Sequence, residues 1–111
     1  MSMLTTGTTL LLIGFICASC TVSEEEAREK FDALVAESNA CNDVSECVYA
    51  SAGCPLGCVV AVNSAKQTEV EEEARALIED YERGGRSCAY DCAVPGPLEC
   101  IGGRCQEGAS P

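Results

Sequence analysis

The chain has 111 residues, 10 of them cysteine, with 18 acidic side chains against 7 basic ones and no histidine. A chain of this length holds one domain. Its net charge of −11 argues against a nucleic-acid partner, because phosphates are contacted mostly by Lys and Arg. The lack of histidine excludes Ser-His-Asp and Cys-His catalysis and removes a common zinc ligand.

Met1 to Cys20 carry no charged side chain, and Leu10 to Ile16 form a compact apolar run. That run is shorter than the roughly 20 apolar residues a bilayer span takes. Residues 1–19 read as a secretory signal peptide, with only the N-terminal amine for positive charge. The end of this segment, Ile16-Cys17-Ala18-Ser19-Cys20, resembles a bacterial lipobox. The resemblance implies cleavage before Cys20, acylation of Cys20, and anchoring by lipid rather than by a helix. Cys17 stands where that family usually carries an aliphatic residue, so ordinary cleavage after Cys20 or Ser23 is the alternative. Thr21 is not the acidic residue associated with inner-membrane retention, which makes the outer membrane the expected destination. Acyl chains contribute about 0.8 kcal/mol per buried methylene, so several chains anchor stably where one is marginal.

Residues 20–40 are read as the attachment cysteine followed by a first helix over 23–39. Ser23-Glu24-Glu25-Glu26 is a capping box, and its glutamates suit the positive end of the helix dipole. Ala27, Phe31, Leu34 and Val35 form one apolar stripe at helical spacing. Glu24/Arg28 and Glu26/Lys30 are i,i+4 pairs in the favourable order.

Residues 41–106 hold eight cysteines: Cys41, Cys47, Cys54, Cys58, Cys88, Cys92, Cys100 and Cys105. With Cys17 removed and Cys20 acylated, this even number lets every thiol pair. Cys41 to Cys47 is a polar loop. Val48–Ser51 and Val59–Val62 are short strands flanking a Gly53-to-Cys58 turn, in which Pro55 and Gly57 forbid a regular element. A second helix starts at a capping box over Ser64–Gln67, with Asn63 as an alternative cap. Its apolar stripe is Val70, Ala74, Leu77, Ile78 and Tyr81, its polar face has Glu71/Arg75 and Glu79/Arg83 pairs, and Gly84-Gly85 stops it. Pro95-Gly96-Pro97 is a rigid turn, and Gly102-Gly103 is a two-residue hairpin signal. Residues 107–111 read as a flexible tail.

The fold class is therefore α+β: a small disulfide-rich domain with two amphipathic helices and short hairpins. With few large apolar groups the core is small, and bridges of about 2–4 kcal/mol each compensate. Eight cysteines admit roughly a hundred pairings, and none is singled out. Against this staple stand three other readings, one of them a small-Tim-like pair of Cys-x₃-Cys helices, the first of which Pro55 and Gly57 break. Cys54/Cys58 and Cys88/Cys92 have the spacing of a zinc chelate, and the turn-borne Cys54/Cys58 pair has that of a thiol redox site, although thioredoxin-like sites are Cys-x₂-Cys. Asn42, Asp43 and Glu46 lack the calcium-loop pattern. No cofactor and no catalytic constellation is expected.

The series Cys-x₅-Cys, Cys-Pro-x-Gly-Cys, valine-rich strand, helix, Cys-x₃-Cys and Cys-x₄-Cys resembles the eight-cysteine-cluster domain of small bacterial secreted proteins and lipoproteins. That family is functionally uncharacterised, so the resemblance implies framework and location and no substrate. The expected role is a non-enzymatic cell-envelope module, structural or binding, with a membrane contact through lipid and a protein partner in the envelope. The alternative is a secreted small-scaffold protease inhibitor. Either role would use Pro55-Leu56-Gly57 or Pro95-Gly96-Pro97-Leu98 as a binding loop, because a rigid loop binds at low entropic cost.

Overall fold

A computed structural model describes residues 21–108. The signal segment, Cys17, the acylation candidate Cys20 and residues 109–111 lie outside the described residues. In chain order the elements are α1 (Glu24–Ser38), β1 (Cys47–Gly53), β2 (Gly57–Asn63), α2 (Gln67–Arg83), β3 (Leu98–Ile101) and β4 (Arg104–Glu107). The fold is α+β and disulfide-rich.

Helix α1 begins as its sequence requires. Ser23 is extended, and its hydroxyl accepts the Glu26 amide at 3.1 Å, satisfying one of the orphan donors of the first turn. Ala27 and Phe31 are buried while Leu34 and Val35 are half-buried. Ser38 is also buried, and its hydroxyl donates to the Leu34 carbonyl at 2.6 Å. Of the two starts open to helix α2, the structure takes the alternative. Asn63 is the cap, accepting the Ala65 amide at 2.9 Å, and it opens a single 3₁₀ turn over Ser64–Lys66 that leads into the helix. Asn63 wins over Ser64 because its amide group also donates to the Ala40 carbonyl at 2.8 Å. At the far end Gly85 takes φ +80, a conformation that suits glycine.

Strands β1 and β2 form an antiparallel hairpin with Ala50 opposite Val60 and Val48 opposite Val62. Successive strand residues point to opposite faces, and the two faces meet different neighbours. Val48, Ala50, Val60 and Val62 pack with Phe31, Val70, Ala74 and Leu77 in the main core. On the other face Cys47 and Ala61 pack with Cys41, Cys105 and Leu98. The helices cover one side of the hairpin and the cysteine-rich C-terminal third covers the other. At Gly53 the hairpin comes close to α2: at φ +126 a Cβ there would lie 2.9 Å from Ile78 Cδ1.

Strand β1 leaves one edge free, and α2 covers it. The Glu71 carboxylate accepts the Ser51 amide at 2.8 Å, and Gln67 donates to the Tyr49 carbonyl at 3.3 Å. An edge satisfied by side chains is a poor template for another strand. Glu71 is thereby drawn away from its expected partner Arg75. Arg83 similarly bonds Asp80 at 2.7 Å rather than Glu79, while Arg28 does pair with Glu24 at 3.6 Å. These pairs are exposed and contribute at most about 1 kcal/mol each.

Strands β3 and β4 pair through the Gly102-Gly103 turn, whose residues take φ +60 and +78, as a type I′ hairpin demands. The chain before Cys41 adds to this hairpin: Cys105 donates to the Asn39 carbonyl at 2.7 Å and Cys41 to that of Gly103 at 2.9 Å. Residues 107 and 108 are not a loose tail. Glu107 pairs with Leu98, and the Gly108 amide donates to the Pro97 carbonyl at 2.6 Å. The hairpin register extends the strand beyond where composition alone would end it.

Candidate functional site

The eight cysteines form four bridges. Cys41 joins Cys100 and Cys47 joins Cys105, with Cα separations of 6.1 and 5.6 Å. Cys54 joins Cys88 and Cys58 joins Cys92, at 5.5 and 5.8 Å. All four separations fall in the range a disulfide accepts. The first two tie the β3–β4 hairpin to the start of β1 and the loop before it. That loop carries a capping box: the Asp43 carboxylate accepts the Ser45 amide at 2.9 Å, and Glu46 accepts those of Asn42 and Asp43 at 2.7 and 3.0 Å. These carboxylates serve backbone amides. Hydrogen bonding from Ser45 holds the Asp43 carboxyl below the usual carboxylate range. The reciprocal Asp43/Glu46 pattern is a cap signal in the sequence, but a three-residue turn has no apolar stripe to announce it.

The second two bridges have a different consequence. Residues 86–97 form no helix or strand, yet they are held at several points. Cys88 and Cys92 are tied to the two sides of the β1–β2 turn. Between them the Tyr90 hydroxyl donates to the Pro55 carbonyl at 3.1 Å, which also accepts Arg28 Nε at 3.1 Å. Further on, the Gly96 carbonyl accepts the Tyr49 hydroxyl at 2.6 Å and its amide donates to the Glu107 carboxylate at 3.0 Å. Partial burial, and next the Glu107 charge, raise the Tyr49 phenol above its ordinary value. The result is a strap tied to the β1–β2 turn through Cys88, Tyr90 and Cys92 and to the outer face of the hairpin through Gly96.

The two expected binding loops fare differently. Pro55 is fully buried, and Leu56 packs against both Phe31- and Tyr81-containing clusters. Pro55-Leu56-Gly57 is therefore a structural turn and presents no protruding loop, because its apolar side chains complete the core. Pro95, Gly96 and Leu98 are half-buried and Pro97 is exposed. The residue that stands out is their neighbour Val94, at 93% exposure, which the sequence reading did not single out. Its position after Cys92 and before Pro95, in a stretch with no strand pattern, was the available signal.

The pairing also bears on the thiol chemistries. Cys54 and Cys58 are not bonded to each other, so the turn does not form a proximal redox pair. The four cysteines with chelate spacing are consumed in two separate bridges. Among the described residues, the sulfurs of Cys41, Cys47 and Cys105 lie within 4.8 Å of one another, but all three are in disulfides, and the metal ligand is the thiolate. Among the described residues the surface includes two open grooves. One of about 410 Å³ lies between β1 and α2, lined by Ser51, Glu71, Arg75, Glu79 and Glu82. Another of about 260 Å³ lies beside Ser38, Asn63 and Lys66.

Fold and bridges together define a small disulfide-stapled α+β domain displaying a clamped, irregular strap. Four disulfides are compatible with export, and among the described residues no helix is long and apolar enough to cross a membrane. Compared with protein-family models, curated proteins and solved structures, the chain matches none.

Proposed function

We propose that this protein is an exported, non-enzymatic cell-envelope lipoprotein, anchored by acylation of Cys20, whose folded domain serves as a binding module for a protein partner. The observation that carries the binding role is the strap at 86–97. Two disulfides and the Tyr49–Gly96 hydrogen bond remove much of its freedom before any partner arrives, while Val94 stays 93% exposed. A pre-ordered segment loses little entropy on binding, and an exposed apolar side chain on it supplies area to bury. The eight-cysteine-cluster resemblance supports the same compartment and framework.

The test has two arms. Intact mass of the exported chain, before and after reduction and alkylation, is expected to show acyl mass on a chain beginning at Cys20, and eight cysteines alkylated only after reduction. Photo-crosslinking in the envelope from position 94 is expected to yield one discrete protein adduct that a probe at Glu72, on the exposed face of α2, does not. An unacylated chain with free thiols would remove the anchor, and identical adducts from both positions would remove the strap.

A second reading, the secreted protease inhibitor, is favoured by the same exposed Val94 beside a bridged cysteine. It requires stoichiometric inhibition of a protease that accepts small aliphatic side chains, lost on Val94→Asp.

A further inference from the structure

The start of the described chain is fastened to one end of the domain. Val22 is buried with Ala27 and Tyr81, and its carbonyl accepts Arg86 Nη1 at 3.2 Å. The Thr21 side chain lies beside Gly84, 3.5 Å from where a Cβ would sit. From this end α1 runs for 15 residues, about 22 Å at the helical rise of about 1.5 Å per residue. At its other end Arg104 bonds the Ala36 carbonyl and the Asn39 side chain at 3.1 and 2.9 Å. The β3–β4 turn, with half-exposed Ile101, thus sits at the opposite pole from Val22.

Cys20 is two residues from Val22, a covalent reach of at most about 7 Å. We infer that the domain is held end-on against a phospholipid surface, with the exposed Gly84, Arg86 and Ser87 facing the lipid and the Ile101–Gly103 hairpin tip pointing away; this rests on the lipid-anchor reading of Cys20. There is no stalk: from Val22 onward the chain is part of the fold. The lipid-facing pole carries Arg83 and Arg86 beside Glu24, Glu25 and Glu26, so geometry rather than attraction sets the contact. The strap leaves this pole after Arg86 and runs towards Leu98, which exposes Val94 to a partner arriving from the side or from beyond the domain.

The chain contains no tryptophan, so a single introduced one is a clean reporter. Ser87→Trp and Ile101→Trp, each in the full exported chain, are reconstituted into phosphatidylcholine–phosphatidylglycerol vesicles whose headgroups carry a nitroxide. Mass spectrometry first establishes acylation and the four bridges; if Ser87→Trp fails to form its bridges, the exposed Arg83→Trp takes its place. The result expected is quenching several-fold stronger at position 87 than at 101. Acylated, vesicle-bound protein with equal quenching at both positions, or stronger quenching at 101, overturns the orientation and leaves the anchor standing. An unacylated chain that does not float with the vesicles overturns the anchor and the orientation together.

Discussion

Tyr49, in the middle of β1, donates its hydroxyl to the carbonyl of Gly96 at 2.6 Å across 47 residues of sequence. Together with the Gly96 amide bond to Glu107, this bond holds the C-terminal end of the strap, where the bridges at Cys88 and Cys92 do not reach. Tyr49→Phe keeps the ring and removes the bond. The expected loss is about 1 kcal/mol, read as a fall in thermal midpoint of about 4–8 °C for a domain of this size, with faster exchange of the Gly96 amide.

The same phenol makes stability depend on alkaline pH. Its value is raised in the fold, by partial burial first and Glu107 second, so the folded state favours the protonated form. Its contribution is full below the ordinary phenol value of about 10 and is lost as pH rises through the raised folded value. Urea midpoints are expected to fall more steeply for the parent than for Tyr49→Phe in that alkaline window. Asp43 has the opposite sign: its depressed value gives stability above the usual carboxylate range, lost as pH falls through the folded value.

Peptide mapping under non-reducing conditions is expected to return Cys41–Cys100, Cys47–Cys105, Cys54–Cys88 and Cys58–Cys92. Removing one strap bridge with Cys58→Ala and Cys92→Ala is expected to cost about 2–4 kcal/mol and to open the 88–97 segment to proteolysis. The β1–β2 hairpin and both helices are expected to persist in its circular dichroism. Recovery of a Cys54–Cys58 peptide from the parent would overturn the pairing.

Phe31 is the largest side chain among those almost wholly buried, and it lies where α1 meets the hairpin. Phe31→Ala is expected to lose about 3–5 kcal/mol, transfer and cavity costs together, seen as a lowered denaturant midpoint in the oxidised protein.

Val94→Asp separates binding from folding. At 93% exposure the side chain has little to lose, so stability is expected to stay within about 0.5 kcal/mol of the parent. Partner crosslinking from the strap is expected to disappear. A drop in stability comparable to that of Phe31→Ala would show that Val94 is packed in solution and does not serve as a contact residue.

Much of the secondary structure was legible because it follows from local rules. The stripes Ala27–Phe31 and Val70–Ala74–Leu77–Tyr81 repeat at the helical period and meet a core, and Gly102-Gly103 names its own turn. The misreadings have one cause. The turn of Glu71 towards Ser51, the extension of β4 to Glu107 and the burial of Leu56 all depend on a neighbour distant in sequence: β1, Leu98 and the Tyr81 cluster. Local spacing carries no information about such neighbours.

For the strap the division is sharpest. That the chain is small, acidic, cysteine-rich and α+β follows from its residues read a few at a time, because composition, periodicity and turn chemistry are local. Which cysteine joins which, and hence that residues 86–97 lie clamped across the hairpin with Val94 outward, was decided only by tertiary structure. A disulfide forms where two Cα atoms come within about 4.4–6.8 Å, and it is the packing of α2 against β1 that carries Cys88 and Cys92 back to Cys54 and Cys58.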